Sequence, residues 1–369
     1  MTKLTKIRIT YKELRDGTYK NAYIPQDDKF TATAHMTSYL LDALKSCPCN
    51  NDDSKTFMNV CVDEEGKEIG RDFRFGTRVK GGDKVYAAGT GGGFEVLEEY
   101  RKEGIGADFM MDAVLSKDYD FFLVGGMTPM VFPMYRKLKY HIFELPQYIK
   151  ILNSKYALKR YALNGAILKV AVGLGNCVIK ILDIPNRVRL SKLNSRFTIK
   201  KETVVPEWVS EMTANDGHQF MEVHDREWLQ WNLDHNTFGN AEDIQSFYSV
   251  YDKKDKPLGF FMTKERLVMK AGPRKGYVVG TVVEWESCDK SVLNEADLNL
   301  LALQTFSKKV DLILTLACES GTEKKLKKMR FVHRGMFYIG LKDKKKQFKD
   351  AGDPNLWRLR FGYTSMILL

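Results

Sequence analysis

Two groups of glycines punctuate the stretch GTGGGFEVLEEYRKEGIGADFM, residues 89–110. Glycine lets a backbone approach a ligand closely and take positive φ. Two nucleotide motifs are therefore tested first. A dinucleotide fingerprint needs G-x-G-x-x-G, but counting from Gly89 the sixth residue is Phe94. A P-loop needs glycine followed by Lys and Ser or Thr, and no glycine here is so followed. What remains is RKEGIGA at 101–107, set between a strand end and a helix. Free N–H groups at a helix start bind phosphate oxygens, and the helix dipole adds to the attraction. Gly89–Gly93 lie on the preceding strand, where glycine marks either a bulge or the close approach of a ligand; Thr90 and Gly92 are the candidates there to face an acceptor substrate.

Other chemistry-bearing residues are sparser. The six cysteines are Cys47, Cys49, Cys61, Cys177, Cys288 and Cys318. They read as reduced thiols, since the chain is too long and too cysteine-poor for a disulfide scaffold. The CPC at 47–49 is too tight for a zinc knuckle and has no second Cys/His pair beside it, so no metal is expected. Net charge is +11. That favours anionic partners or describes a solvated basic surface. The lysine runs at 323–330 and 342–349 lack interleaved aromatics, so nucleic acid is not the expected partner. The stretch 162–182 is the most apolar, but Asn164, Lys169, Asn176, Lys180 and three glycines interrupt it. It is expected to be a helix packed between two domains rather than a membrane span. The N-terminus lacks a signal peptide's apolar core, and the expected compartment is the cytoplasm.

The elements that must position these residues follow from periodicity. Residues 6–10 read as a strand, 32–47 as a helix, 56–79 as two strands turning at Glu65-Gly66, and 83–97 as a glycine-rich strand. A helix opens after Gly104, 119–126 is a buried strand, 128–140 is a short helix and 141–152 a closing strand pair. Residues 153–205 read as helical, then basic and irregular. After them, helices at EWVSEMTAN and DREWLQWNLDH precede a hairpin turning at 253–256. A strand, a helix over EADLNLLALQTFSKK, a strand, a helix and a strand follow. Both halves show strands, then helix, strand, helix, strand. The expected architecture is a mixed α/β fold of two similar domains, 1–152 and 206–369, joined by a connector at 153–205.

VLEEYRKEGIGADFM resembles the acyl-CoA-binding motif of the GNAT N-acetyltransferases, with R-x-x-G-x-G/A leading into a helix. VFPMYRKLKY resembles that family's companion helix, with Lys139-Tyr140 where Gly-Phe is usual. The resemblance covers residues 56–152 best. The second half is similar to the second domain of bacterial tandem-GNAT proteins, with His224 and Asn232 where arginine is usual. It lacks R-x-x-G-x-G after its strand at 277–286, so it is expected to have lost cofactor binding.

The resemblance implies that backbone N–H groups of Arg101, Lys102, Glu103, Gly104, Ile105, Gly106 and Ala107 hold the CoA pyrophosphate. Phe94, Val96 and Leu97 would pair with the pantetheine amides and polarise the thioester carbonyl. Tyr135 would protonate the leaving thiolate; otherwise it is a core tyrosine. The general base is open. His218, His224 and His235 have suitable ordinary pKa values but equally suit structural roles. Trp228 and Trp231 either line an acceptor cleft or pack in the core, and His224 and Trp231 are carried as acceptor candidates. The expected function is transfer of an acetyl or other short acyl group from CoA to a primary amine on a small molecule, for example a nucleotide-linked amino sugar. The alternatives are an aminoacyl-tRNA-dependent transferase of the tandem type and a degenerate ligand-binding pair.

Overall fold

The structure, a computed structural model, describes residues 4–18, 38–158, 161, 165–235, 243–268 and 274–362. The expected helical segment at 32–37 lies outside them. The first half runs β1 (Thr5–Thr10), α1 (Tyr11–Asp16), α2 (Ser38–Lys45), β2 (Thr56–Val62), β3 (Glu68–Gly81), β4 (Lys84–Val96), α3 (Ile105–Leu115), β5 (Phe121–Gly125), α4 (Phe132–Lys137) and β6 (His141–Ile151). Then come α5 (Ser154–Leu158), α6 (Gly165–Leu182) and α7 (Ile184–Arg196). The second half runs β7 (Phe197–Glu202), α8 (Trp208–Ala214), β8 (Phe220–Glu222), α9 (Arg226–His235), β9 (Ile244–Asp252), β10 (Pro257–Leu267), β11 (Val278–Ser287), α10 (Glu295–Leu303), β12 (Leu312–Leu316), α11 (Thr322–Lys328), β13 (Val332–Asp343) and the two-residue β14 (Trp357–Arg358).

One continuous sheet holds both halves, in the order β1-β2-β3-β4-β5-β13-β6-β12-β11-β10-β9-β7. The halves mirror each other. In each, antiparallel strands lead to one short parallel pairing. In the first half Ala88–Thr90 pair with Phe121–Leu123; in the second Val279–Thr281 pair with Leu312–Leu314. Their last strands are exchanged at the centre. β13 pairs with β5 of the first half, and β6 pairs with β12 of the second.

Three sequence expectations need correcting. Residues 141–152 form one strand, not a pair, because no turn interrupts them. Pro146 fits inside this central strand because of where it stands. Its carbonyl accepts from Ala317 N–H, so its nitrogen points to the same side, just beyond the Gln147–Leu316 rung where the β12 ladder ends. Proline there removes no ladder bond. Residues 184–202 are ordered as α7 and β7 rather than irregular, since β7 supplies the strand beside β9. Finally, no α6 residue is buried; the helix lies on the surface rather than between the halves.

The core crosses the halves. Ile9, Tyr11, Leu14, Phe57, Phe73 and Phe75 pack in one cluster with Val209, Trp228, Leu229, Phe247, Phe260 and Met262. Two of the acceptor candidates belong to this packing. Trp231 is buried and donates its Nε1–H to the Ala43 carbonyl of α2 (2.8 Å). The fully buried His224 ring stacks on Trp228 at 3.8 Å between centroids. Its Nδ1 lies 2.5 Å from Glu284 and its Nε2 3.2 Å from Glu222. Burial pulls the imidazole pKa down, but the two carboxylates outweigh it and hold it above the ordinary 6.5. Both residues are held inside the protein.

Two expectations follow from these packing arrangements. Residues 1–152 expressed alone lack β13, so β5 and β6 have no common partner; gel filtration should find aggregate rather than a compact monomer, and a compact monomer with native circular dichroism would refute the exchange. His224→Gln leaves two buried carboxylates short of their cation and should cost about 3 kcal/mol or more, read by denaturant unfolding. Because the folded pKa of His224 is raised, its contribution should be complete below pH 6.5 and lost as pH rises through that higher value.

Candidate active site

The first element of the site is the start of α3. A turn over Glu98–Glu103 ends at Gly104, whose φ of 79° is left-handed and favours glycine. No side chain caps the helix. Asp108 N–H makes the first helical bond, to the Gly104 carbonyl (3.0 Å), which leaves the Ile105, Gly106 and Ala107 N–H groups without an intrahelical acceptor. Gly106 sits close under Phe94: a Cβ there would lie 3.3 Å from the ring, which would have to give by a few tenths of an ångström. A groove of about 200 Å3 runs past this helix start, lined by Leu4, Lys6, Cys61, Glu103 and Ile105 among others. Lys6 pairs with Asp108 (2.8 Å) and Asp112 (3.3 Å), offsetting the acid in the helix's first turn. Arg101 turns its Nε back to the Val96 carbonyl (3.3 Å), while Lys102 and Glu103 are exposed.

The second element is the gap between β4 and β5. Their pairing stops at Thr90–Leu123, and beyond it the parallel strands have no rungs in common. β4 also carries a bulge: Arg71 faces Glu95 while Phe73 faces Gly92, so Gly93 and Phe94 together oppose Asp72. Leu97 N–H is spent on the Ile69 carbonyl (2.9 Å). A cavity of about 50 Å3 occupies the gap, walled by Asp72, Gly91, Phe94, Phe109, Phe122 and Tyr135, with Val124 and Tyr140 closing it.

Tyr135 reaches this cavity from α4, its ring edge-on to Tyr140 at 4.9 Å. Burial, and after it the negative charge of Asp72, hold its phenol well above the ordinary value of 10 and keep it protonated. α4 ends through Lys139, which takes φ 59°. This is the left-handed position that glycine fills in the resembling family.

Asp72 is the residue that sequence reasoning missed. It is buried on β3 and paired with Arg74 (2.8 Å), which also holds Asp112 (2.9 Å) and the Phe109 carbonyl (3.2 Å). Burial raises the Asp72 carboxyl, and Arg74 offsets only part of that. The sequence signal was RDFRF at 71–75, where charged and aromatic residues alternate along a strand. A solvated outer face would carry the charges; here both faces are covered.

The glycine group at 89–93 does not leave room for an acceptor at Gly92. A Cβ on Gly92 would lie 2.6 Å from the Phe73 ring, and one on Gly89 would strike the Tyr119 ring. Both admit aromatic rings of the protein itself. Thr90 is fully buried. Among the described glycines of this group, Gly91 lines the cavity.

In the second half the equivalent helix start is closed. The Asn294 side chain accepts from Ala296 and Asp297 N–H, and Asp297 answers to the Asn294 backbone. The N–H groups that α3 leaves open are taken here by a capping box. A larger cavity, about 670 Å3, lies between α8 and the ends of β10 and β11. His218 lines it, bonded to Asp216 at 2.7 Å. His235 instead contacts Ser46 Oγ (2.8 Å). Neither lines the β4/β5 cavity.

No family model and no curated protein sequence matches the chain. Solved structures do. The fold is similar to that of Saccharomyces cerevisiae N-myristoyltransferase with bound myristoyl-CoA: TM-score 0.55, 12% identity, covering 92% of this chain and 82% of that one. A probable N-acyltransferase from Enterococcus faecalis V583 gives TM-score 0.51 and 12% identity over 92% and 72% of the two chains. A GCN5-related N-acetyltransferase from Anabaena variabilis ATCC 29413 gives 0.52 and 11% over 93% and 73%. At such identities the likeness is one of fold, and it spans both halves: the chain has the two-domain, mixed α/β fold of GNAT-type N-acyltransferases.

Proposed function

We propose that the protein is a CoA-dependent N-acyltransferase whose reaction centre is the β4/β5 cavity. The observation that carries this is the conjunction of three features on one half: an uncapped helix start behind a left-handed glycine, a bulged strand leading to it, and a half-buried tyrosine facing the gap between. In this reading the Ile105, Gly106 and Ala107 N–H groups hold the CoA pyrophosphate, with Lys102 close enough in sequence to add charge. The bulge at Gly93–Phe94 presents backbone to the thioester carbonyl, where negative charge grows as the amine attacks. The amine nitrogen bonds to the carbonyl carbon, the C–S bond breaks, Tyr135 passes its proton to sulfur, and the proton shed by the amine nitrogen returns to Tyr135 through solvent. Asp72 acts as a positioning residue, its charge opposing ionisation of Tyr135.

A cavity of about 50 Å3 compares with roughly 30 Å3 for one water in the liquid. This supports a short acyl group such as acetyl over a long chain. The acceptor is a primary amine. A nucleotide-linked amino sugar is supported by the family resemblance alone, not by any residue of the site.

Isothermal titration with acetyl-CoA should give micromolar-range binding. Gly106→Glu, which pushes into Phe94 and sets a carboxylate before the open N–H groups, should weaken it by about tenfold or more. No binding to the wild type would overturn the reading. With a panel of amines, Tyr135→Phe should slow thiol release by about a hundredfold while acetyl-CoA binding persists. An unchanged rate would remove Tyr135 from the chemistry.

A further inference from the structure

The surface helix α6 turns a second apolar stripe to solvent. A surface helix of a water-soluble protein normally turns its apolar stripe to the core. Here Ile167, Val170, Leu174, Val178 and Ile181 are between 53% and 69% exposed. At about 100° per residue these five fall within an arc of roughly 80°. The stripe continues through Leu182, Ile184 and Val188, all exposed. The face turned inward is apolar too, with Leu168, Ala171, Val172 and Ile179 half-buried, and is fastened by polar groups. Asn176 Oδ1 accepts from Ser154 N–H (2.8 Å), Ser154 Oγ donates to the Val172 carbonyl (2.9 Å), and Gly175 leaves room for the Ser154 side chain.

Charge flanks the stripe with one sign. From Gly165 to Arg196 the chain carries Lys169, Lys180, Arg187, Arg189, Lys192 and Arg196, and Asp183 is the single acid. Asp183 is already paired with Lys150 (2.7 Å). The corner between α6 and α7 is fastened to the end of α11. Lys150 Nζ and Asn186 Nδ2 both donate to the Met329 carbonyl (2.8 and 2.9 Å). Beside it Arg189 and Lys192 of α7 meet Lys325 and Lys328 of α11 around a groove of about 300 Å3.

We infer that this face docks on a bilayer bearing anionic headgroups, with α6 lying in the interface. An apolar stripe bordered by basic side chains is the pattern that buries in the acyl boundary while its charges meet headgroup phosphates and carboxylates. A second copy of the chain is the poorer fit, because a two-fold contact sets each patch against itself and brings like charges together. Crossing the bilayer does not fit either. By length and composition α6 could span one, but its inner face is bonded to α5, and α7 returns the chain to the same body. The inference does not depend on the acyl-transfer reading.

Co-sedimentation of the full chain with sucrose-loaded vesicles tests it. Wild type should pellet with vesicles of phosphatidylcholine and phosphatidylserine, and much less with phosphatidylcholine alone or at high salt. The double variant Leu174→Gln, Val178→Gln should bind anionic vesicles about tenfold or more weakly. Its thermal unfolding should be unchanged, because both side chains point to solvent. Lys325→Glu with Lys328→Glu should abolish the preference for phosphatidylserine. Failure of wild type to pellet with either vesicle would overturn the inference. So would a dimer in analytical ultracentrifugation that the Leu174/Val178 variant converts to monomer, since the stripe would then be covered by a second copy.

Discussion

The exchange of β6 and β13 between the halves is the constraint on which everything else rests. β5 bonds to β4 over only three residues, which is what lets the two strands separate and the cavity form. A strand so weakly held on one edge needs its other edge secured, and β13 does this with five rungs, Gly125–Ile339 through Phe121–Asp343. Val124, which closes the cavity, is paired with Gly340 of the second half. The candidate site therefore draws its polar and aromatic groups from one half and part of its rigidity from the other.

Much of the site could be read from the sequence because it is local. RKEGIGA, the strand before it and the helix after it form one continuous stretch, and turn chemistry, helix periodicity and glycine content are all short-range signals. Tyr135 was legible for the same reason. What escaped is non-local. Nothing in HIFELPQYIKI announces that β13 and β12 flank it, and its proline argued against a central strand. His224 and Trp231 were read as acceptor residues because an imidazole of suitable ordinary pKa and an aromatic ring on a helix suit a cleft. Only the fold brings Glu222 and Glu284 to the one and the Ala43 carbonyl to the other. Asp72 was missed because a buried carboxylate looks like a surface one until the helix that covers it is in place. The glycine group was half legible: strand glycines do mark close approach, and the approaching groups were rings of the protein.

The apolar segment 162–182 was read by rule and misplaced by the same rule. Its hydropathy pointed inward, and hydrophobic surface normally is buried. It is apolar nearly all round: Leu168, Val172 and Ile179 turn inward beside the hydrogen bonds of Ser154 and Asn176, and a second apolar stripe is left facing outward. The basic surplus of the chain gains a location from this, since α7 and α11 gather cations beside that stripe rather than spreading them over the surface.

The two helix starts, α3 and α10, treat the same backbone N–H groups in opposite ways. Asn294 and Asp297 close one with a side-chain cap, a device that stabilises a helix by about 1 kcal/mol; Gly104 leaves the other bare. A side-chain cap satisfies such N–H groups and stabilises the helix, whereas a helix start that is to meet a ligand must keep them open. The pair is a trade-off between stability and activity written twice in one chain, with opposite outcomes.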